Sequence, residues 1–406
     1  MIAPLPEDAR PLAGLLVVDF SQFLSGPLCG LKLADLGARV IKIERPGTGD
    51  LCRHLYISPA DVDGDNTLFH AINRNKESFV ADLRDETDCT RLRNLLARAD
   101  VMIQNFRPGV IDRRGFGYED VRKINPRLVY GSITGYGEMG PWRDLPGQDL
   151  LAQARAGLLW LTGSRDDPPI PMGLAVADML AGHTLATGIL AALVGRSLRG
   201  EGCHVSTSLL EVLIDFQFEV LTTYFNDGEH LPQRAAVGGA HAYLNAPYGV
   251  YETSDGYLAI AMTPSLKHLG ELLDIENLPD NPPFTKRDEL KAILAKKIRT
   301  RTTEQWLKIL QAADIWCAEV RDWPSLLRSH AFKELDFLQT ITRAKPDGDD
   351  VTLTSLRAPI RINDQVLKST TAAPLLGEHT AAITSQFSLD QEPDRENATT
   401  TPARSI

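Results

Sequence analysis

The sequence predicts an α/β chain: a large domain on an open parallel sheet, joined to a smaller α+β domain. Three observations carry this. Apolar runs at 15–20 (LLVVDF), 39–44 (RVIKIE), 100–106 (DVMIQNF) and 128–137 (LVYGSITGYG) alternate with helical stretches, as strands buried on both faces and linked by crossover helices do. The texture changes near residue 226, where aromatic and β-branched residues flank Ser254-Asp255-Gly256 and three helical stretches follow. A length of 406 residues also exceeds what a single core ordinarily organises.

Taken in order, the first unit is strand–helix–strand. After LLVVDF comes the turn SQFLSGP, and Pro27 suits the first turn of a helix that stops at Gly37. RVIKIE then ends at Arg45-Pro46-Gly47. A loop over 73–85 enters another short strand, and a helix of about twelve residues leads to DVMIQNF. Residues 147–163 have helical spacing, with Leu150, Leu151, Ala154 and Leu158 on one face. A long helix is expected over 171–196, and 204–225 runs from strand to helix. NAPYGVYETSDGYLAIAM (245–262) is a hairpin, followed by helices near 265–275, 285–299 and 302–312. These elements place the large domain at 1–225 and the small domain at 226–325, ending near Trp323-Pro324. A return segment at 326–387 goes back to strand and helix, and a polar tail at 388–406 is expected to be disordered.

Composition narrows the function. A hydrophobic share of 43% and a charged share of 24% are ordinary for a globular protein. No apolar window is long enough to predict a membrane span, and MIAPLPEDARPLAG has no signal-peptide pattern, so a cytoplasmic enzyme is expected. Five scattered cysteines show no metal-ligand spacing, which predicts reduced thiols. His54, His70 and His379 likewise have no such spacing, so no metal is expected. A net charge of −10 argues against nucleic acid as a partner.

Chemistry concentrates in three places. The helix at 171–196 interleaves Ala181, Gly182, Thr184, Ala186 and Gly188 with leucines, a surface suited to close backbone packing. Asp178 stands near its start, where a carboxylate is held ionised; on these residues alone it reads as a helix cap or as a functional acid. Six bases between Arg107 and Arg127 read as a phosphate site or as a solvated helix face. The turn after the first strand has Ser25-Gly26-Pro27 where a nicotinamide fingerprint would have G-x-G-x-x-G, so the crevice suits a phosphorylated adenosine better than NAD.

Several ordered runs then become specific. LAGLLVVDFSQFLSGP, LADLGARVIKIERPGTGD, NRNKESFVADL, QNFRPGVIDRRGFGYEDV, LAVADMLAG and APLLGEHT together resemble the class III coenzyme A transferases, over residues 12 to 385. The resemblance implies a Rossmann-like large domain assembled from both chain ends, a small domain between them, and an interlocked-ring homodimer. It implies Asp178 as catalytic nucleophile. It carries coenzyme A contacts to Leu24 and Ser25, to Arg45, to Ala81, Asp82, Leu83 and Arg84, to Asn105, Phe106 and Arg107, and to Arg113. Gln148 and Asp149 fall at supporting positions. No prosthetic group is implied; the coenzyme A thioester is a substrate, and the partners are an acyl-CoA donor and a carboxylic acid acceptor.

Two departures sharpen this. Related racemases carry a histidine at the position of Gln148, and an amide cannot exchange a proton near neutral pH, so transfer is favoured over racemisation of an acyl-CoA. The glycine gate of formyl-CoA transferases has only Val237-Gly238-Gly239-Ala240 as its nearest counterpart, which leaves the acceptor acid open. Backbone N–H groups at the helix start and Gly173 are candidates for oxyanion stabilisation. Lys267 and Arg234 are candidates for pairing with a second carboxylate, solvated surface charge being the alternative for both, and His183 reads as a polar packing residue. A noncatalytic coenzyme A-binding scaffold is the competing class; it requires that Asp178 not be the residue beside the thioester.

Overall fold

A computed structural model describes residues 4–54, 60–263, 265–344, 348 and 350–391. The chain divides into two compact units. The first takes the described residues up to Ala152, then Ala175–Leu213, then those from Leu335; the second takes Gln153–Leu174 and those of Ile214–Glu334. The boundaries expected at 225/226 and 325/326 therefore move, and an excursion at 153–174 leaves the first unit altogether. Trp323-Pro324 reads as a stop in the sequence but begins a helix, because Pro is tolerated in a first helical turn and Asp322 accepts the Ser325 N–H as its cap.

In the first unit, β1 (Leu16–Asp19), α1 (Ser25–Asp35) and β2 (Arg39–Glu44) open the sheet. The small hairpin β3 (Asp61–Val62) and β4 (Asp65–Asn66) leads into α2 (Thr67–Asn73). Then come β5 (Glu77–Val80), α3 (Glu86–Leu96), β6 (Val101–Gln104), α4 (Tyr118–Ile124) and β7 (Val129–Thr134). After α5 (Asp149–Arg155) and α6 (Val176–Arg199), β8 (His204–Ser208) closes the sheet and α7 (Leu209–Phe216) leaves it. All six strands are parallel, in the order β5-β2-β1-β6-β7-β8. The chain builds outward from β1 in one direction, then restarts at β6 in the other, so a crevice opens where the β1 and β6 carboxyl ends diverge. Val18, Ile41, Phe79 and Met102 are buried in the sheet's core with Leu92 and Leu95 of α3.

The helix expected at 147–163 is shorter: Gly157 is left-handed at φ 82° and interrupts it, leaving one 3-10 turn at Leu158–Trp160. The long helix starts later than expected, at Val176, and ends at left-handed Gly200. By length and composition α6 matches a membrane span, yet one side of it is buried in this unit, packed on α1 and the sheet.

The second unit carries α8 (Phe218–Asn226), a hairpin of β9 (Gly249–Glu252) and β10 (Tyr257–Ile260), and the helices α9 (Leu266–Leu272), α10 (Arg287–Ile298) and α11 (Thr303–Ala312). Thr302 and Gln305 form a reciprocal capping box on α11. A third strand, β11 (Cys317–Glu319), pairs antiparallel with β10. The unit ends with α12 (Trp323–Arg328) and α13 (His330–Glu334). Tyr251, Leu258, Leu294 and Trp306 centre its core.

The returning chain forms the hairpin β12 (Leu338–Arg343) and β13 (Val351–Leu356), a two-residue pair β14 (Arg361–Ile362) and β15 (Gln365–Val366), and α14 (Thr380–Phe387). It completes the first unit: Thr380 Oγ1 accepts the Val80 N–H at 3.0 Å, and Ile383 and Leu389 are buried in the sheet's core. Leu389 and Gln391 also give their carbonyls to Asn94 Nδ2. Order thus reaches past 388, where the tail was expected to begin; residues 392–406 lie outside the described residues.

Candidate active site

The positions implied to hold coenzyme A share one end of the sheet. Leu24 and Ser25 follow β1, Arg45 follows β2, Ala81 to Arg84 follow β5, and Asn105 to Arg107 follow β6. These are the carboxyl ends of four neighbouring strands around the switch in strand order. Arg113 sits in a 3-10 turn, Asp112–Arg114, beyond β6.

The turn after β1 is held residue by residue. Asp19 accepts the Ser21 N–H at 3.0 Å and its hydroxyl, and pairs with the fully buried Lys76 at 3.0 Å. Lys42, also fully buried, donates to Ser21 O at 2.8 Å and pairs with Asp50 at 2.7 Å. Asp50 in turn accepts the Phe23 N–H at 3.1 Å, fixing Phe23 at φ 64°, a left-handed conformation costly for an aromatic residue. Asn105 binds both backbone groups of Gln22, so the loops after β1 and β6 are joined across the switch point. Sequence reasoning missed Asp19, Lys42, Asp50 and Lys76. A lysine inside the apolar run RVIKIE was the available signal, since a cation in a strand buried on both faces requires a buried partner.

Asp178 lies in the first turn of α6, half-buried, with the Ser25 side chain favouring its ionised form. Close packing brings the two helices together there: a Cβ on Gly182 would stand 2.6 Å from Ser25 O. The small-residue surface read in the sequence is this α1–α6 contact. Asp178 is not the cap of its own helix. Asp149 Oδ1, from α5, takes that duty by accepting the N–H of Ala177 at 2.7 Å and of Asp178 at 3.4 Å, while Ala175 at the cap position offers no side-chain bond.

The expectation that the helix start holds Asp178 firmly ionised is corrected. Desolvation by burial, and then the Asp149 charge, push its carboxyl up to about 6, against a smaller downward pull from Ser25. It is largely ionised at neutral pH, with little margin.

The basic stretch divides. Arg107, Arg113 and Arg114 are exposed on the chain after β6, and no carboxylate among the described residues pairs with Arg45, Arg107 or Arg113. Lys123 instead pairs with Asp120 on α4, and Arg127 donates to Gly200 O at 2.7 Å, so that half serves helix and loop. Arg84 is already paired with Asp82, whose carboxyl it holds down to about 2 by side-chain and backbone hydrogen bonds. Ala81 is buried, and Leu83 and Phe106 pack against the sheet's core.

Other candidates fall elsewhere. Gln148 is exposed and precedes α5, its carbonyl accepting the Ala152 N–H. In the second unit, Arg234 is buried and spends its guanidinium on the carbonyls of Thr162, Arg165, Asp167 and Pro168, so it is not available to a substrate carboxylate. Lys267 is exposed. Gly238 gives its carbonyl to the buried Lys291 at 2.9 Å, and burial pushes that amine down to about 8. Gly173 belongs to the second unit's stretch, and His183 is exposed on α6 rather than packed. Among the described residues, no three His, Cys, Asp or Glu side chains cluster as metal ligands.

Comparison with known proteins now bears on this geometry. The sequence model of CoA-transferase family III matches residues 12–380. A succinate–glutarate CoA-transferase of Agrobacterium fabrum is 33% identical, covering 94% of this chain and 97% of its own. An acetyl-CoA:oxalate CoA-transferase of Acetobacter aceti is 35% identical over 75% of this chain and 79% of its own. Among solved structures, a CaiB/BaiF family protein from Brucella suis superposes with a TM-score of 0.78 at 34% identity, covering 93% of this chain and 99% of that one.

Proposed function

We propose, because this chain belongs to CoA-transferase family III, that it moves coenzyme A from an acyl-CoA thioester to a carboxylic acid, with Asp178 as the nucleophile. One observation carries the residue assignment. A half-buried carboxylate in the first turn of α6 lies one turn before the close contact of Gly182 with Ser25 O, beside the turn after β1 at the crevice end of the sheet.

The chemistry needs no general base and no prosthetic group. A carboxylate oxygen of Asp178 attacks the thioester carbon, the C–S bond breaks, and a mixed anhydride and a CoA thiolate result. The thiolate then attacks the Asp178 carbonyl carbon, expelling the donor acid and leaving an aspartyl-CoA thioester. The acceptor carboxylate attacks that thioester, releasing the thiolate and forming a second anhydride. Attack by the thiolate on the acceptor's carbonyl carbon releases the new acyl-CoA and restores Asp178. No electron or proton is gained or lost over the cycle. Both intermediates react with water, so the nucleophile has to be shielded, and the close α1–α6 contact at Gly182 supplies part of that shielding. A carboxyl raised to about 6 is less stabilised as an anion and correspondingly more reactive.

Exposed Arg45, Arg107 and Arg113 suit the coenzyme's phosphates as charge-assisted donors. The names of the relatives direct a first acceptor panel to dicarboxylates such as glutarate and oxalate. We assign the enzyme to the cytoplasm and to an interlocked homodimer. Exposed Val194 and Leu198 on α6, and Phe218 and Phe225 on α8, support association with a second copy. Light scattering on the purified protein checks that mass.

The test is hydroxylamine trapping during turnover of succinyl-CoA with the acceptor panel, followed by peptide mass analysis. Asp178 should be converted to the hydroxamate, and Asp178→Ala should lose turnover. An unmodified Asp178 peptide during active turnover refutes the covalent reading. Gln148 carries no titratable proton, so no exchange of the acyl α-proton with deuterated solvent is expected.

A further inference from the structure

We infer that Glu44 and Arg53 are positioning residues for the coenzyme, a buried ion pair that fixes the loop presenting Arg45. The inference rests on the reading of Arg45 as a phosphate contact.

Hydrogen-bond accounting shows what the pair is free to do. Arg53 donates to Glu44 from Nε at 2.8 Å and from Nη2 at 2.7 Å. Nη2 also reaches Pro374 O on the returning chain at 3.2 Å, and Nη1 faces the two Asp65 oxygens at 2.9 and 3.0 Å. The guanidinium lies over the Phe69 ring, 3.9 Å from its centroid. Glu44 is as fully used. Its Oε1 accepts from Arg53 and, at 2.7 Å, from Ser78 Oγ; its Oε2 accepts from Arg53 and, at 3.0 Å, from the Asp50 N–H. Both side chains are buried, and every nitrogen and oxygen of either already has a partner. Whatever they contribute to binding passes through the chain they hold.

That chain is the loop between Glu44 and Asp50. It leaves β2 at Arg45 and turns back on itself, the Gly49 N–H donating to Arg45 O at 2.9 Å. Gly49 is buried with φ 64°, and a Cβ there would stand 2.9 Å from Glu44 Oε2 and 3.0 Å from Arg53 Cδ. The loop closes this tightly over the ion pair because the residue is glycine. Its far end is anchored from another side, since Asp50 pairs with Lys42 at 2.7 Å and accepts the Phe23 N–H at 3.1 Å. Arg45 is thus an exposed cation on a short loop whose two ends are fixed. Held in place before the ligand arrives, it gives up less conformational freedom on binding than an arginine on a slack loop.

Two variants test this. Gly49→Ala presses a methyl into the pair and strains a left-handed backbone while leaving every charge in place. Arg53→Lys keeps the charge but cannot hold Glu44, Asp65 and Pro374 O together. In each, the KM for the acyl-CoA should rise about tenfold, with kcat within about twofold. A merely weakened fold would lower the active fraction, and kcat with it, and leave KM where it was. Combined with Arg45→Ala, either variant should raise KM little further, because both act through one contact. Variants with wild-type circular dichroism and wild-type KM overturn the inference, as does a KM effect that multiplies in full with that of Arg45→Ala. If Arg53→Lys does not fold, Gly49→Ala decides alone. Failure of the phosphate reading looks different: Arg45→Ala by itself would then leave KM unchanged.

Discussion

Asp178→Asn should make the protein more stable while ending its activity. The raised pKa supplies the magnitude. A carboxyl that folding lifts from 3.8 to about 6 is one the folded state prefers protonated. Its favourable contribution is complete below the unfolded value and is lost as pH rises through the folded one, so above about pH 7 the ionised group costs roughly 3 kcal/mol, at 1.36 kcal/mol per unit. Asparagine cannot ionise and nearly matches the carboxylate in size and shape. Urea denaturation followed by circular dichroism, at pH 8 and at pH 4.5, compares the two proteins. The variant should gain on the order of 1–3 kcal/mol at pH 8, and most of the gain should vanish at pH 4.5 where the wild type is protonated. An equal gain at both pH values, or none at pH 8, refutes the argument that burial and Asp149 strain this carboxylate.

The same shift sets the pH profile of catalysis. With Asp178 required as the anion, kcat/KM should fall about tenfold per pH unit below about 6, and an acidic limb near pH 4 would contradict the burial argument. Gly182→Ala forces a methyl to within 2.6 Å of Ser25 O. It should cost about 1–3 kcal/mol in thermal or urea unfolding despite alanine's better helix propensity, and should lower kcat. Replacing the exposed Arg45 or Arg113 by alanine should raise the KM for CoA thioesters about tenfold with kcat nearly unchanged, a split read from steady-state kinetics.

Much of the first unit is legible in the sequence for one physical reason. Strands covered on both faces must be apolar throughout, so LVVD, VMIQ and VYGSIT announce themselves, and Pro27 and Gly37 bracket the helix between the first two strands. The excursion at 153–174 is not legible, because its assignment depends on contacts made far along the chain and not on its own pattern. The partner of β13 is hidden for a different reason: LQTITR alternates exposed and buried positions, but two of the three buried ones are the polar Gln339 and Arg343, so no apolar alternation shows in the sequence. At the site, Asp178 was visible as an acid opening a small-residue helix. Its release from capping was not, since Asp149 comes from a different helix. Nor was the network of Lys42, Asp50, Lys76 and Asp19 beneath the turn, where only the lone Lys42 in a buried strand hinted at buried charge.

The bond from Asp149 to the start of α6 has a bearing on how such an enzyme diversifies. The chain leaves the first unit after Ala152 and re-enters at Ala175, and Asp149 ties the departing end to the arriving one at Ala177. The excursion between is thereby a closed loop on a fixed clasp. Doubling the length of such a loop costs only about 0.6 kcal/mol of closure entropy. Changes of length within 153–174 are accordingly expected to act on the second unit, to which that stretch belongs, while the bond from Asp149 keeps the start of α6 in place.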